Sequence, residues 1–330
     1  MTRYAQASDP RDYLFARMAL SDNELEHLCR PNYDISAEEV WRTFFQEYVR
    51  QKRDLYIICL AGAKLSEYRH LPSWLPNWSE VTSAYPLCNF HQVNRPEWPH
   101  FDAAKGTKPD VSFTPSGHHL SCIGLEIDEV DGIGDSQSTT SNNAYITPED
   151  ACQALVRTTL ADTNRWGEPS KSPEAFELIF AAVCNRFRSE MDWPPSPNFE
   201  ARWSVMKKLN LGGTPLEDLI ELRRKTAIHG MWAVERHISR AFKYSYSHAM
   251  FMRELFTTLR GFLGLGPGTA GSKDKIVILK GCRVPVIMRQ RGQYWELVGE
   301  CYVDGIMYGE ALDNKLGDDQ EPAWKTFNII

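Results

Sequence analysis

Gly266, Gly268 and Gly271 in the stretch GPGTAG satisfy the GxGxxG spacing that lets a backbone approach a pyrophosphate. That chemistry also needs a helix opening directly after the glycines, so that its first amides face the phosphates. Here SKDKIVILKG follows, a charged turn and then a β-branched run. Gly266 and Gly271 have P-loop spacing too, but Ser272-Lys273 reverses the Lys-Ser/Thr order that sets an ammonium on the phosphates and a hydroxyl on magnesium. An inter-strand loop that binds no nucleotide is therefore expected.

The other residue types able to do chemistry are similarly placed. Glu296 and Glu300 are an even number apart, so one strand would set them on one face, as a pair of catalytic carboxylates requires. With Arg283, Arg289 and Arg291 nearby they read instead as cross-strand charge pairs on a solvated face. His118 and His119 are adjacent in a strand and point to opposite sides, so they cannot easily share a metal. His229, His237 and His248 can share a helix face, yet no HExxH pattern accompanies them. The cysteines at 29, 59, 88, 122, 152, 184, 282 and 301 contain no CxxC pair, which favours reduced, mostly buried thiols. GxSxG and EF-hand patterns are missing from the sequence as well. No catalytic, cofactor-binding or metal-ligating residue is assigned, and no cofactor is expected.

The elements that would position these groups are easier to read. In DISAEEVWRTFFQEYVRQKRDL, Ser36 and Glu39 form a capping box and Ile35 and Val40 a staple, which predicts a helix over about 36–53. The run LYIICLAGAK that follows is too short to assign. Pro72 and Pro76 then interrupt an aromatic segment in which Trp74, Trp78, Tyr85 and Phe90 suggest an ordered loop clamped to the core; the functional alternative is a sugar-stacking platform. Residues 110–135 predict two strands around a turn at Pro115 to Gly117. Helix starts are marked at Thr147 and Ser172, each followed by proline, and residues 214–252 predict one or two further helices broken near Gly230. Beyond Arg260 short apolar runs with glycine turns predict four or five strands, and the last residues pack back on the body.

Composition sets the frame. A chain of 330 residues, 42% hydrophobic and 24% charged, is expected to build an ample core in two or more units. A formal charge of -6 argues against nucleic acid as a principal partner. Neither a 20-residue apolar span nor a signal-like start is present in the sequence, so a cytoplasmic protein with no membrane attachment is expected, and the Asn77 sequon is read as chance.

Taken in order, SDPRDYLFARMAL, PNYDISAEEVW, LPSWLPNWS, LSCIGLEIDEV, GFLGLGPG, GCRVPVIMR and LVGECYVDGIMYGEAL resemble the fungal heterokaryon-incompatibility (HET) proteins. The family-motif residues are Asp9, Pro10, Arg11, Asp12, Trp74, Pro76, Trp78, Gly264, Gly281, Arg283, Pro285, Gly299, Glu300, Tyr302 and Gly305, all read as structural. In that family the HET domain lies upstream of the Asp-Pro-Arg-Asp motif, so the resemblance implies the region after that domain. It implies an α+β fold with a helical middle packed against short β elements and a small C-terminal β-barrel-like module. The segments are 1–146 (mixed), 147–255 (helical), 256–312 (β-module) and 313–330 (tail). It further implies a non-enzymatic regulatory or interaction role in self/non-self recognition, with a protein partner such as a full-length HET protein. The alternatives are a hydrolase using clustered carboxylates, or a non-functional truncated fragment.

Overall fold

The structure, a computed structural model, describes residues 7–20, 28–61, 70–79, 86–87, 101–134, 137–162, 203–227, 249–313 and 323–330, with the backbone alone from 222 to 227. The expected helix at Ser172, the break near Gly230, the three spaced histidines, Tyr85, Phe90, Cys88 and Cys184 lie outside the described residues.

Local signals set the helices. Helix α1 (Asp12–Ala19) buries Leu14, Phe15 and Met18. Helix α2 (Ala37–Lys52) starts on the predicted capping box: the Ser36 hydroxyl accepts from the Glu39 amide at 3.2 Å, and Glu39 accepts from the Ser36 amide at 3.1 Å. It stops where Arg53 turns left-handed at φ 51°. Its buried face is Val40, Trp41, Phe44, Phe45 and Val49, the three-and-four spacing of an amphipathic helix. The unassigned run after it is a 3₁₀ turn over Tyr56–Leu60 with four buried side chains. Helix α3 (Pro148–Leu160) repeats the box with Thr147 and Asp150 and has proline in its first turn. Helix α4 (Leu216–Ala227) follows a ribbon of β3 (Asn210–Leu211) and β4 (Thr214–Pro215).

The remaining strands are β1 (Val111–Phe113), β2 (Leu120–Ile133), β5 (Arg253–Thr258), β6 (Leu263–Pro267), β7 (Lys275–Leu279), β8 (Val286–Arg291), β9 (Tyr294–Glu300), β10 (Tyr302–Val303) and β11 (Lys325–Ile329). They form one nine-stranded sheet in the order β10-β6-β5-β2-β11-β9-β8-β7, with β1 beside β2. Strand β2 organises it. Its start pairs with β11, its middle with β7, and its end with β5 across a bulge between Val130 and Gly132. Following the ladder from β2 through β11, β9, β8 and β7 leads back to β2.

Two cores explain the apolar runs. Val277 and Leu279 face the larger one, shared with α2 and the 3₁₀ turn, while Ile276 and Ile278 face the smaller one with Ile127, Ile287 and Val298. A strand buried on both sides loses the polar alternation of a surface strand. The chain is therefore mixed helix and strand with a large sheet toward its C-terminal part. That sheet takes strands from all four sequence segments: β5 begins at Arg253, within the segment read as helical, and β11, in the segment read as a tail, lies between β2 and β9. Phe327 and Ile329 bury there completely.

Candidate functional site

The segment Gly299 to Gly305, GECYVDG, ties together distant parts of the chain. Strand β9 carries a bulge: Gly299 faces Ile287 but Leu297 faces Met288, so Val298 is an extra residue. The bulge changes the strand's parity. Glu296 stays outside, paired with Arg291 at 2.7 Å, while Glu300 turns inward and is 5% exposed. The expected shared face for these glutamates is thus corrected, and so is the solvated setting expected for Glu300. Arg283 and Arg289 also find partners away from these glutamates, in Asp54 at 2.9 Å and Asp274 at 2.7 Å.

Inside, Glu300 accepts from Arg253 at 2.5 Å, from the Leu87 amide at 2.9 Å and from the Tyr56 hydroxyl at 3.3 Å. Burial pushes its carboxyl above the usual range, and the Arg253 guanidinium and the other donors offset part of that rise. Four residues on, Asp304 accepts from Arg157 of α3 through both oxygens, at 2.8 and 2.9 Å, and from Tyr302 at 3.0 Å. The bidentate pair raises the Arg157 guanidinium, while burial, followed by the Asp304 charge, raises the Tyr302 phenol. Tyr145 joins by accepting the Leu263 amide at 3.0 Å. Together these bonds fasten β5, α3 and the 3₁₀ turn to one short segment of the sheet.

The other motif residues also make structural contacts. Asp9 accepts from the Arg11 amide and side chain, and Arg11 reaches on to the carbonyls of Tyr33 and Ile35, both at 2.7 Å. Tyr33 returns a hydrogen bond to Asp12 at 2.6 Å. With Pro10 in the preceding turn, the motif clasps the start of α1 to the entry of α2. Trp74 is fully buried against Phe45 and Phe113 and donates to the His118 carbonyl at 3.3 Å. Pro76 is buried beside it, and half-buried Trp78 packs edge-on against Phe44 beneath Arg17. Among the described residues of the aromatic loop, Trp74 and Trp78 are held against the core, as its composition predicts.

The Pro285 carbonyl holds the Cys301 amide at 2.9 Å. Gly305 turns the chain after β10, and Gly281, at φ +79°, lies against Pro109 where a Cβ would clash at 2.4 Å. Gly264 crosses the face of Phe256, whose ring would meet a Cβ at 2.2 Å. The glycine loop joins β6 to β7 directly, and Asp274 accepts the Gly271 amide at 2.8 Å. A protein carboxylate held by Arg289 therefore occupies one of the amides a phosphate would need. His118 and His119 lie in the connection between β1 and β2 and not in a strand as expected; His118 is exposed, and the His119 ring lies tilted against Tyr294 at 4.8 Å.

A groove of about 490 Å³ runs between the C-terminal half of α2 and β1. Val49, Pro109, Val111 and Phe113 give it an apolar floor, and Gln46, Glu47, Arg50 and Arg53 line it with polar groups. Arg50 is held by Glu47 at 2.6 Å. Among the described residues no group of three or more histidine, cysteine or acidic side chains is arranged to hold a metal.

Comparison with known proteins follows the same landmarks. The family model of the Het-6 beta-barrel domain matches residues 215–319, from β4 and α4 through β10. Heterokaryon incompatibility protein 6, OR allele, of Neurospora crassa is 33% identical over 372 aligned residues, which cover 94% of this chain. The chain belongs to the heterokaryon-incompatibility protein family. It spans 50% of the length of that relative. No solved structure matches.

For this HET-family chain, sequence reasoning missed Arg253, Arg157 and Asp304. Arg253 lies 47 residues from Glu300, and Arg157 lies 147 residues from Asp304. No local pattern links such partners. The available signal was the pair of acids in GECYVDG, four residues apart inside an apolar run, where burial demands a cation from elsewhere.

Proposed function

We propose that residues 1–330 serve a heterokaryon-incompatibility-related role as a regulatory or interaction protein in fungal self/non-self recognition, without catalysing a reaction. The observation that carries this reading is the similarity to heterokaryon incompatibility protein 6 along 94% of the chain. The ionised motif residues support it, because Asp9, Arg11 and Glu300 are engaged in contacts that hold the fold. The five-strand circuit is read as a small closed barrel, supported by the return of β7 to β2. Its partner is a protein, with a full-length family member as the first candidate. The groove beside α2 receives a partner segment with an apolar side chain over Val49 and Phe113 and an acidic group toward Arg53.

Expression of residues 1–330 in a fungal strain lacking full-length family members tests the role. Growth continues if the chain is an interaction protein, and co-expression with a full-length member dampens that member's response by competition. Growth arrest caused by this chain alone refutes the reading. Replacing Arg53 with glutamate weakens capture of the full-length member while leaving the melting temperature unchanged; unaltered capture moves the interface elsewhere.

A further inference from the structure

The sulfur atoms of Cys59 and Cys282 lie 3.5 Å apart although 223 residues separate them in sequence. Cys59 is in the 3₁₀ turn after α2, and Cys282 is in the connection between β7 and β8. The main chain on both sides is docked. The Leu55 amide donates to the Gly281 carbonyl at 2.9 Å, Arg283 bonds Asp54 at 2.9 Å, and the Gly281 amide donates to Thr107 at 3.2 Å. A disulfide holds its sulfurs about 2.05 Å apart, so closure needs roughly 1.5 Å of side-chain approach between segments already in contact.

We propose that Cys59 and Cys282 are a modification site, a dithiol that a hydroperoxide converts to a disulfide linking the turn after α2 to the sheet. The order of events follows from exposure. Cys59 is 7% exposed, whereas Cys282 and Cys301 are fully buried and Cys122 is 1% exposed, so Cys59 meets the oxidant first. Its sulfur attacks one peroxide oxygen, the O–O bond breaks, and with hydrogen peroxide one water leaves as Cys59 becomes a sulfenic acid. The Cys282 sulfur then attacks the Cys59 sulfur and loses its proton. The S–O bond breaks and a second water departs. One peroxide is reduced by two electrons and each sulfur supplies one of them.

Cys282 is also within electrostatic reach of Cys122 and Cys301. Burial raises both of those thiols and keeps them protonated, so neither competes with the pair for the oxidant. Because the pair is covered, oxidation proceeds through local opening of the turn and is slow beside that of an exposed thiol. The product closes a long loop in the unfolded chain, which stabilises the fold.

The experiment treats the full chain with hydrogen peroxide under native conditions, blocks remaining thiols with N-ethylmaleimide after denaturation, and maps peptides by mass spectrometry. The expected product joins the Cys59 and Cys282 peptides with a mass lower by two hydrogen atoms. Cys59→Ala and Cys282→Ala each abolish it, and Cys122→Ala leaves it in place. The oxidised chain melts several degrees higher, and dithiothreitol reverses the shift. A linkage from Cys282 to Cys122, Cys301 or Cys88, or persistent sulfinic acid at Cys59 without a cross-link, overturns the proposal. So does a chain with both thiols intact after oxidation in sub-denaturing urea.

Discussion

Replacing Arg253 with methionine removes the cation from Glu300 while keeping most of the side-chain volume. The two groups are 1% and 5% exposed and meet at 2.5 Å, so water cannot take over the role of the guanidinium. The Leu87 amide and the Tyr56 hydroxyl remain as donors, at 2.9 and 3.3 Å. Breaking a buried pair from one side costs about 3–5 kcal/mol, because a charge is left uncompensated. A domain of marginal stability, about 5–15 kcal/mol in all, loses a large part of it.

The loss depends on pH. Burial already raises the Glu300 carboxyl, and removing the guanidinium raises it further. A raised carboxyl favours the folded state below its unfolded value of about 4.3 and loses that advantage as pH climbs through the folded value. The variant therefore recovers part of its deficit at pH 5 relative to pH 7. Urea unfolding at both pH values, for Arg253→Met, Glu300→Gln and the double variant, measures the coupling. The double variant should cost less than the sum of the singles by at least about 1 kcal/mol. Additive costs, or an Arg253→Met loss that grows at pH 5, would refute the account of Glu300 as a buried charge dependent on Arg253.

Three further outcomes are expected. Trp74→Ala costs about 3–5 kcal/mol in urea unfolding, since the indole is fully buried against Phe45 and Phe113; an unchanged melting temperature with a lost ligand would make Trp74 a binding platform. Gly264→Ala costs about 1–3 kcal/mol by overpacking on Phe256, and Gly264→Ala combined with Phe256→Leu regains part of it in the same assay. The Arg11 side chain and amide hold the Asp9 carboxyl at about 2, so its contribution is present above the unfolded value near 3.9 and lost as pH falls through about 2. In Arg11→Ala the Asp9 midpoint measured by NMR titration moves up toward the unfolded value, and an unmoved midpoint rejects the clasp.

What the sequence settled by itself is local. Ser36 with Glu39, and Thr147 with Pro148 and Asp150, set two helix starts because a cap satisfies amides only three residues away. The proline-bounded Trp74 loop, the turn at Pro115 to Gly117 and the loop between β6 and β7 are likewise written in adjacent residues. Tertiary structure decided the rest. The parity of β9 depends on a bulge visible only against β8, and that bulge determines whether Glu300 faces water or Arg253. The place of β11 depends on β2 and β9, which precede it by about 200 and 30 residues in the ladder. Ion pairs such as Arg157 with Asp304, and the approach of Cys59 to Cys282, join positions whose spacing carries no period. Their partners are chosen by where the sheet and helices pack, since burial makes a lone charge costly and rewards whichever opposite charge the fold brings beside it.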